Sequence, residues 1–119
     1  MNLTKIKNRV KYFWQRHTNR FAVSDEDCWN VDGSILLFMV NILKHFKNMK
    51  RQGVANEYVE QANGDINAAV VLYENDLGNL VAKFEKILND YEENIDSYKT
   101  EDVQEAFNHL TKMMKNLWD

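Results

Sequence analysis

Two carboxylate pairs, Glu57-x-x-Glu60 and Glu93-x-x-Asp96, come nearest to a catalytic pattern in this chain. Residues three apart share a helical face. Two such pairs on adjacent helices can hold Mg²⁺ against a nucleotide's phosphates. The same spacing also arises from two solvated acidic faces, and acids are abundant here. Other reactive types are sparse. His17, His45 and His109 fall on three different predicted helices, and none has a metal-ligating spacing such as H-E-x-x-H. Cys28 stands alone among acids, a poor setting for a thiolate nucleophile. With no glycine-rich phosphate loop, no cofactor and no resident metal is expected.

The cations form the second group. Lys5, Lys7, Arg9, Lys11, Arg16 and Arg20 all precede the first acid, Asp25, although the whole chain carries a net charge of -3. That balance argues against a generic nucleic-acid binder, but it leaves a basic arm on an acidic body. Lys5, Arg9, Arg16 and Arg20 form one stripe with Tyr12 among them, and Trp14 sits at the edge of the neighbouring apolar face. Two readings stay open: a core helix with a solvated basic flank, or a phosphate-binding helix with an aromatic platform. Trp14, Trp29 and Trp118 are candidate interface anchors as well as packing residues.

Helices must position these groups. Leu3, Ile6, Val10 and Phe13 recur at three- and four-residue steps, which predicts a basic amphipathic helix over about 3–19 with that stripe facing the core. Ser24 and Asp27 have capping-box spacing, with an acid in the glutamate's place. The run Asp25-Glu26-Asp27 should face the basic helix. Asp32 or Ser34 caps a second helix over about 33–51. Its first half is apolar on every side, so it is expected at the centre of the fold. Lys44, Lys47, Lys50 and Arg51 suit its C-terminal dipole. Val54 to Ala62 reads as a short helix ended by Asn63-Gly64. Asp65 then caps a long helix whose seam runs through Ile66, Val70, Tyr73, Leu77, Leu80, Phe84, Leu88, Tyr91 and Ile95. That seam is long enough to suggest a homodimer, and Gly78 within it suggests a kink or break. Thr100 caps the last helix, which is expected to pack on the helix over 33–51.

At 119 residues with no proline and four glycines, the chain reads as an all-α, single-domain bundle of four or five helices spanning 1–119. One cysteine fits a reducing compartment. No apolar run approaches the ~20 residues a membrane span needs, and the N-terminus lacks a signal-peptide pattern. A cytoplasmic protein without a membrane partner is therefore expected.

The stretch Phe21 to Lys47 resembles a set of small, uncharacterised tailed-phage proteins. In them a basic helix leads into a motif like "sDeDlWnlD" and a hydrophobic helix ending "Lk-x-Fk". The matching residues here are Ser24, Asp25, Asp27, Trp29, Asn30, Asp32, Leu43, Lys44, Phe46 and Lys47, and the C-terminal Leu117, Trp118 and Asp119 match the family's closing "LWD". The resemblance implies a phage or prophage product acting in the host cytoplasm, and it brings no catalytic residues. Small size, that presumed phage origin and the absence of a visible active site together lead to the expectation of a non-enzymatic accessory protein that binds a host or phage protein, with inhibition of a bacterial defence system as its specific form. Nucleic-acid binding through the basic helix is the alternative. Separately, Glu57, Glu60, Glu93 and Asp96 resemble the E-x-x-E…E-x-x-D pattern of all-α nucleoside triphosphate pyrophosphohydrolases, which would imply a Mg²⁺-dependent hydrolase.

Overall fold

A computed structural model describes residues 3–18, 22–50 and 53–118. Arg20, Phe21, Arg51 and Asp119 lie outside the described residues. All regular structure among the described residues is helical: α1 (Leu3–Thr18), α2 (Val31–Asn48), α3 (Asn56–Gln61), α4 (Ile66–Glu93) and α5 (Thr100–Met113), with 3-10 turns at Glu26–Cys28 and Met114–Asn116. No described helix is long and apolar enough to cross a membrane. The chain divides into two compact units, Met1–Ile35 and Leu36–Asp119, and the boundary falls within α2.

In the first unit, α1 forms where periodicity predicts it. Its last turn is held by the Thr18 hydroxyl donating to the Trp14 carbonyl and by His17 Nδ1 against the Phe13 carbonyl, both of which satisfy helix-end acceptors. The predicted inward stripe, however, faces solvent. Leu3, Ile6, Val10 and Phe13 are exposed, while Tyr12, roughly 140° around the helix, is buried. The reason lies in the next segment, which grips the polar side of α1. Ser24 and Asp27 close the capping box: the Ser24 backbone N–H donates to Asp27 Oδ2 at 2.8 Å, and the Asp27 N–H donates to Ser24 Oγ at 3.4 Å. Helix α2 starts at Val31, so Asp32 lies inside its first turn. The Ser34 hydroxyl ties back to the Asp27 carbonyl at 2.7 Å instead of capping.

In the second unit the centre is α4, not the helix predicted over 33–51. Ala69, Tyr73, Leu77, Leu80, Val81, Phe84, Ile87 and Leu88 of α4 are all buried. Helix α2 contributes Leu36, Val40 and Leu43 to that core but exposes Leu37, Phe38 and Ile42. An all-round apolar sequence marks a helix that can be buried on any side, and here one side is enough. The predicted seam from Tyr73 to Leu88 is occupied within the chain, which removes it as a dimer surface; Ile66 and Ile95 at its ends are exposed. Asp65 caps α4 as predicted, accepting from the Ala68 N–H at 3.2 Å. Gly64, at φ 85°, makes the preceding turn, a conformation glycine adopts without steric cost. The helix continues unbroken through Gly78. A Cβ there would come within 3.7 Å of the Lys47 side chain.

Helix α5 packs on α4, not on α2. Phe107 meets Phe84 edge-on at 5.2 Å, and Lys86 pairs with Asp102 at 2.7 Å. Its N-cap is Lys99 without a side-chain hydrogen bond, and Thr100 is its first residue. Glu101 and Asp102 stand in the first turn, where the dipole favours acids.

Candidate functional site

Tyr12 and Trp29 organise the first candidate. With α1 turned polar side inward, the Tyr12 ring meets Trp29 edge-on at 5.5 Å and 88°, a favoured aromatic geometry. Tyr12 is 6% exposed, whereas Trp29 is 64% exposed. Together with Lys5, Arg9 and Glu26 they line a shallow groove of about 400 Å³.

The acidic motif holds this arrangement. Gln15 and Asp25 bond reciprocally, Nε2 to Oδ2 at 3.0 Å and the Asp25 N–H to Oε1 at 2.7 Å. Lys11 approaches Asp25 at 3.3 Å. Arg16 grips Asp27 through two nitrogens, at 2.9 and 3.3 Å, and reaches Glu26 at 3.8 Å. Asp25, Glu26 and Asp27 thus face the basic helix, as the charge pattern predicts, with Lys11 on Asp25 and Arg16 on Glu26 and Asp27. The remaining motif residues act on backbone: the Asn30 carbonyl accepts from Ser34 N–H, and Asp32 accepts from Gly33 N–H at 2.9 Å.

This geometry splits the predicted cationic stripe. Lys5 and Arg9 border the groove, and Arg16 is engaged by acids. Tyr12 is covered and so gives no open stacking platform. Trp14 points to the other side of α1, edge-on to Phe13 at 5.8 Å.

The bidentate Arg16 fork, followed by the Ser24 backbone N–H, holds the Asp27 carboxyl at about 2, below its ordinary 3.8. A depressed carboxylate stabilises the folded state above its unfolded pKa, and that contribution disappears as pH falls through the folded value. The Asp27 clamp is therefore expected to release between about pH 4 and pH 2, freeing Trp29 from Tyr12. The Trp29 indole N–H resonance should shift across that window in the parent protein. Asp27→Asn should show the released position already at pH 7; an unchanged resonance would remove the clamp's role.

The second candidate lies on α3, α4 and α5. The Tyr58 hydroxyl donates to Asp76 Oδ2 at 2.7 Å, and His109 Nε2 meets Asp76 Oδ1 at 2.6 Å. Lys83 Nζ sits 3.1 Å from His109 Nδ1 and 3.5 Å from Glu105. Burial, and then the Asp76 carboxylate, push the Tyr58 phenol well above its ordinary range. His109 Nε2 faces the Asp76 carboxylate and Nδ1 faces the Lys83 ammonium, so both ring nitrogens are engaged. Neither ring nitrogen is then open to a substrate. This network borders an open cleft of about 1020 Å³ with lysines and carboxylates on its walls. Sequence spacing gave no sign of it, because its members lie on three helices far apart in the chain.

The predicted carboxylate quartet does not assemble. Glu57 and Glu60 lie on α3, whose Tyr58 bonds Asp76, whereas Glu93 ends α4, about 25 Å beyond Asp76 along its axis, and Asp96 follows it in the loop. Among the described residues no group of three or more His, Cys, Asp or Glu is placed to hold a metal ion. Cys28 is an exposed free thiol, and His17 stacks on Phe13 at 4.1 Å.

Fold and sites define an all-α protein with an aromatic groove on its N-terminal unit and a polar network on its C-terminal unit. Comparison of the chain with protein-family models, curated proteins and solved structures finds no match.

Proposed function

We propose that this is a non-enzymatic binding protein, a phage or prophage accessory product that acts in the host cytoplasm by docking on a host or phage protein. Inhibition of a bacterial defence system is the specific form of this reading. The observation that carries it is Trp29, an exposed indole braced by a buried tyrosine and flanked by Lys5 and Arg9. Tryptophan, tyrosine and arginine dominate binding hot spots, and a braced ring loses little rotamer freedom on association.

Removal of a hot-spot tryptophan costs ~2 kcal/mol or more, roughly thirtyfold in affinity. Trp29→Ala is expected to lose the partner recovered by cross-linking in host lysate, with an unchanged far-UV circular dichroism spectrum. Recovery of the same partner at the same yield would sink the reading.

The groove also favours a second reading. An exposed indole beside two cations can stack a base of single-stranded nucleic acid and hold its phosphates. Lys5 and Arg9 alone would then give a shallow salt dependence, with a logarithmic slope of about -1.4. Anisotropy titration of an oligonucleotide against Lys5→Gln/Arg9→Gln tests it; unaltered affinity would reject it.

A further inference from the structure

We propose that the outward apolar face of α1 docks on the surface of an anionic phospholipid bilayer. Leu3, Ile6, Val10 and Phe13 run along that face with exposures of 82, 42, 52 and 51%, and Trp14 at its border is 59% exposed. The helix contains Lys5, Lys7, Arg9, Lys11 and Arg16 and no acid. Lys11 and Arg16 pair with the acidic motif. Among the described residues, Lys5, Lys7 and Arg9 form no ion pair.

This is the composition of a helix that lies in a membrane interface rather than across it. The stripe enters the acyl boundary, the long basic stems reach up to the phosphates, and Trp14 sits where an indole is half solvated. Charge complementarity selects the occupant. A nucleic acid would satisfy the cations but offers no apolar phase to the stripe. A second copy would bring Lys7 and Arg9, which border the stripe, against their own equivalents. An anionic bilayer satisfies both features. The proposal goes beyond the partner reading: its apolar stripe lies on the side of α1 away from Trp29, while Lys5 and Arg9 are shared with the Trp29 groove.

The test is co-sedimentation of the full chain with vesicles of phosphatidylcholine alone or of phosphatidylcholine with phosphatidylglycerol. Binding only to the phosphatidylglycerol vesicles, and weakened by added salt, is expected. Lys5→Gln/Lys7→Gln/Arg9→Gln should lower the partition coefficient on the order of a hundredfold. Ile6→Asp/Val10→Asp should remove binding with the helix content unchanged, since both side chains are half exposed. Trp29→Ala should bind like the parent, which separates this proposal from the partner reading. Equal or absent sedimentation with the two vesicle types would overturn the proposal. So would undiminished binding of Ile6→Asp/Val10→Asp, or light scattering that finds a dimer which this variant converts to monomer.

Discussion

Phe84→Ala is expected to lower the melting temperature on the order of 15 °C and to cost about 4 kcal/mol of stability. Phe84 is fully buried on α4 and meets Phe107 edge-on at 5.2 Å. Deleting the ring removes its transfer free energy, leaves a cavity among side chains of the hub helix, and loses the aromatic pair, ~1 kcal/mol beyond area. Against a total stability of ~5–15 kcal/mol for a chain of this size, that is a large share. The matched control is Phe38→Ala on α2. Phe38 is 60% exposed, so its loss should stay within about 0.5 kcal/mol. Differential scanning calorimetry of the two variants distinguishes the hub assignments. If Phe38→Ala lowered the melting temperature more than Phe84→Ala, α2 would be the central helix and α4 would not.

The helices themselves are legible in the sequence because their cause is local. Three- and four-residue spacing marks α1, α4 and α5. The Ser24–Asp27 box and the Asp65 cap stand within a few residues of the groups they satisfy. The choice of which face is buried is tertiary, and there the periodicity misleads. Helix α1 has a clean apolar stripe, yet its polar side is the one held, through Gln15 with Asp25, Arg16 with Asp27 and Tyr12 with Trp29. Each exposed polar contact is individually weak, ~0–1 kcal/mol, but together with the buried Tyr12 ring they orient the helix. Helix α2 has apolar residues all round, so periodicity cannot select a side. Length is the better guide to the centre: at 28 residues, only α4 offers surface to α3 and α5 together. The Tyr58–Asp76–His109 network was illegible for a related reason. Each residue is an unremarkable polar position on its own helix, and only packing brings the three together.

Asp76→Ala is expected to cost about 3 kcal/mol, more than any single hydrogen bond on the surface, because one carboxylate serves two partners. Oδ2 accepts from the Tyr58 hydroxyl and Oδ1 from His109 Nε2. Tyr58 is buried, and the His109 side chain is 11% exposed. Removal of Asp76 therefore leaves two donors with restricted access to water, each carrying a desolvation penalty of ~1–3 kcal/mol. Partial exposure of the Asp76 side chain, 38%, keeps the total toward the lower end, since water can enter the vacated space. Tyr58→Phe removes a donor and its need together, and should cost only about 1 kcal/mol. The two changes should not add. Once the Tyr58 hydroxyl is gone, Asp76→Ala orphans only His109, so the double variant should be ~1 kcal/mol more stable than the sum of the single effects predicts. Urea unfolding at neutral pH measures this as a shift in midpoint with an unchanged slope. Strict additivity would mean that the Tyr58 hydroxyl has no energetic coupling to the Asp76 carboxylate. The pinning of α3 to α4 would then rest on the apolar contacts alone.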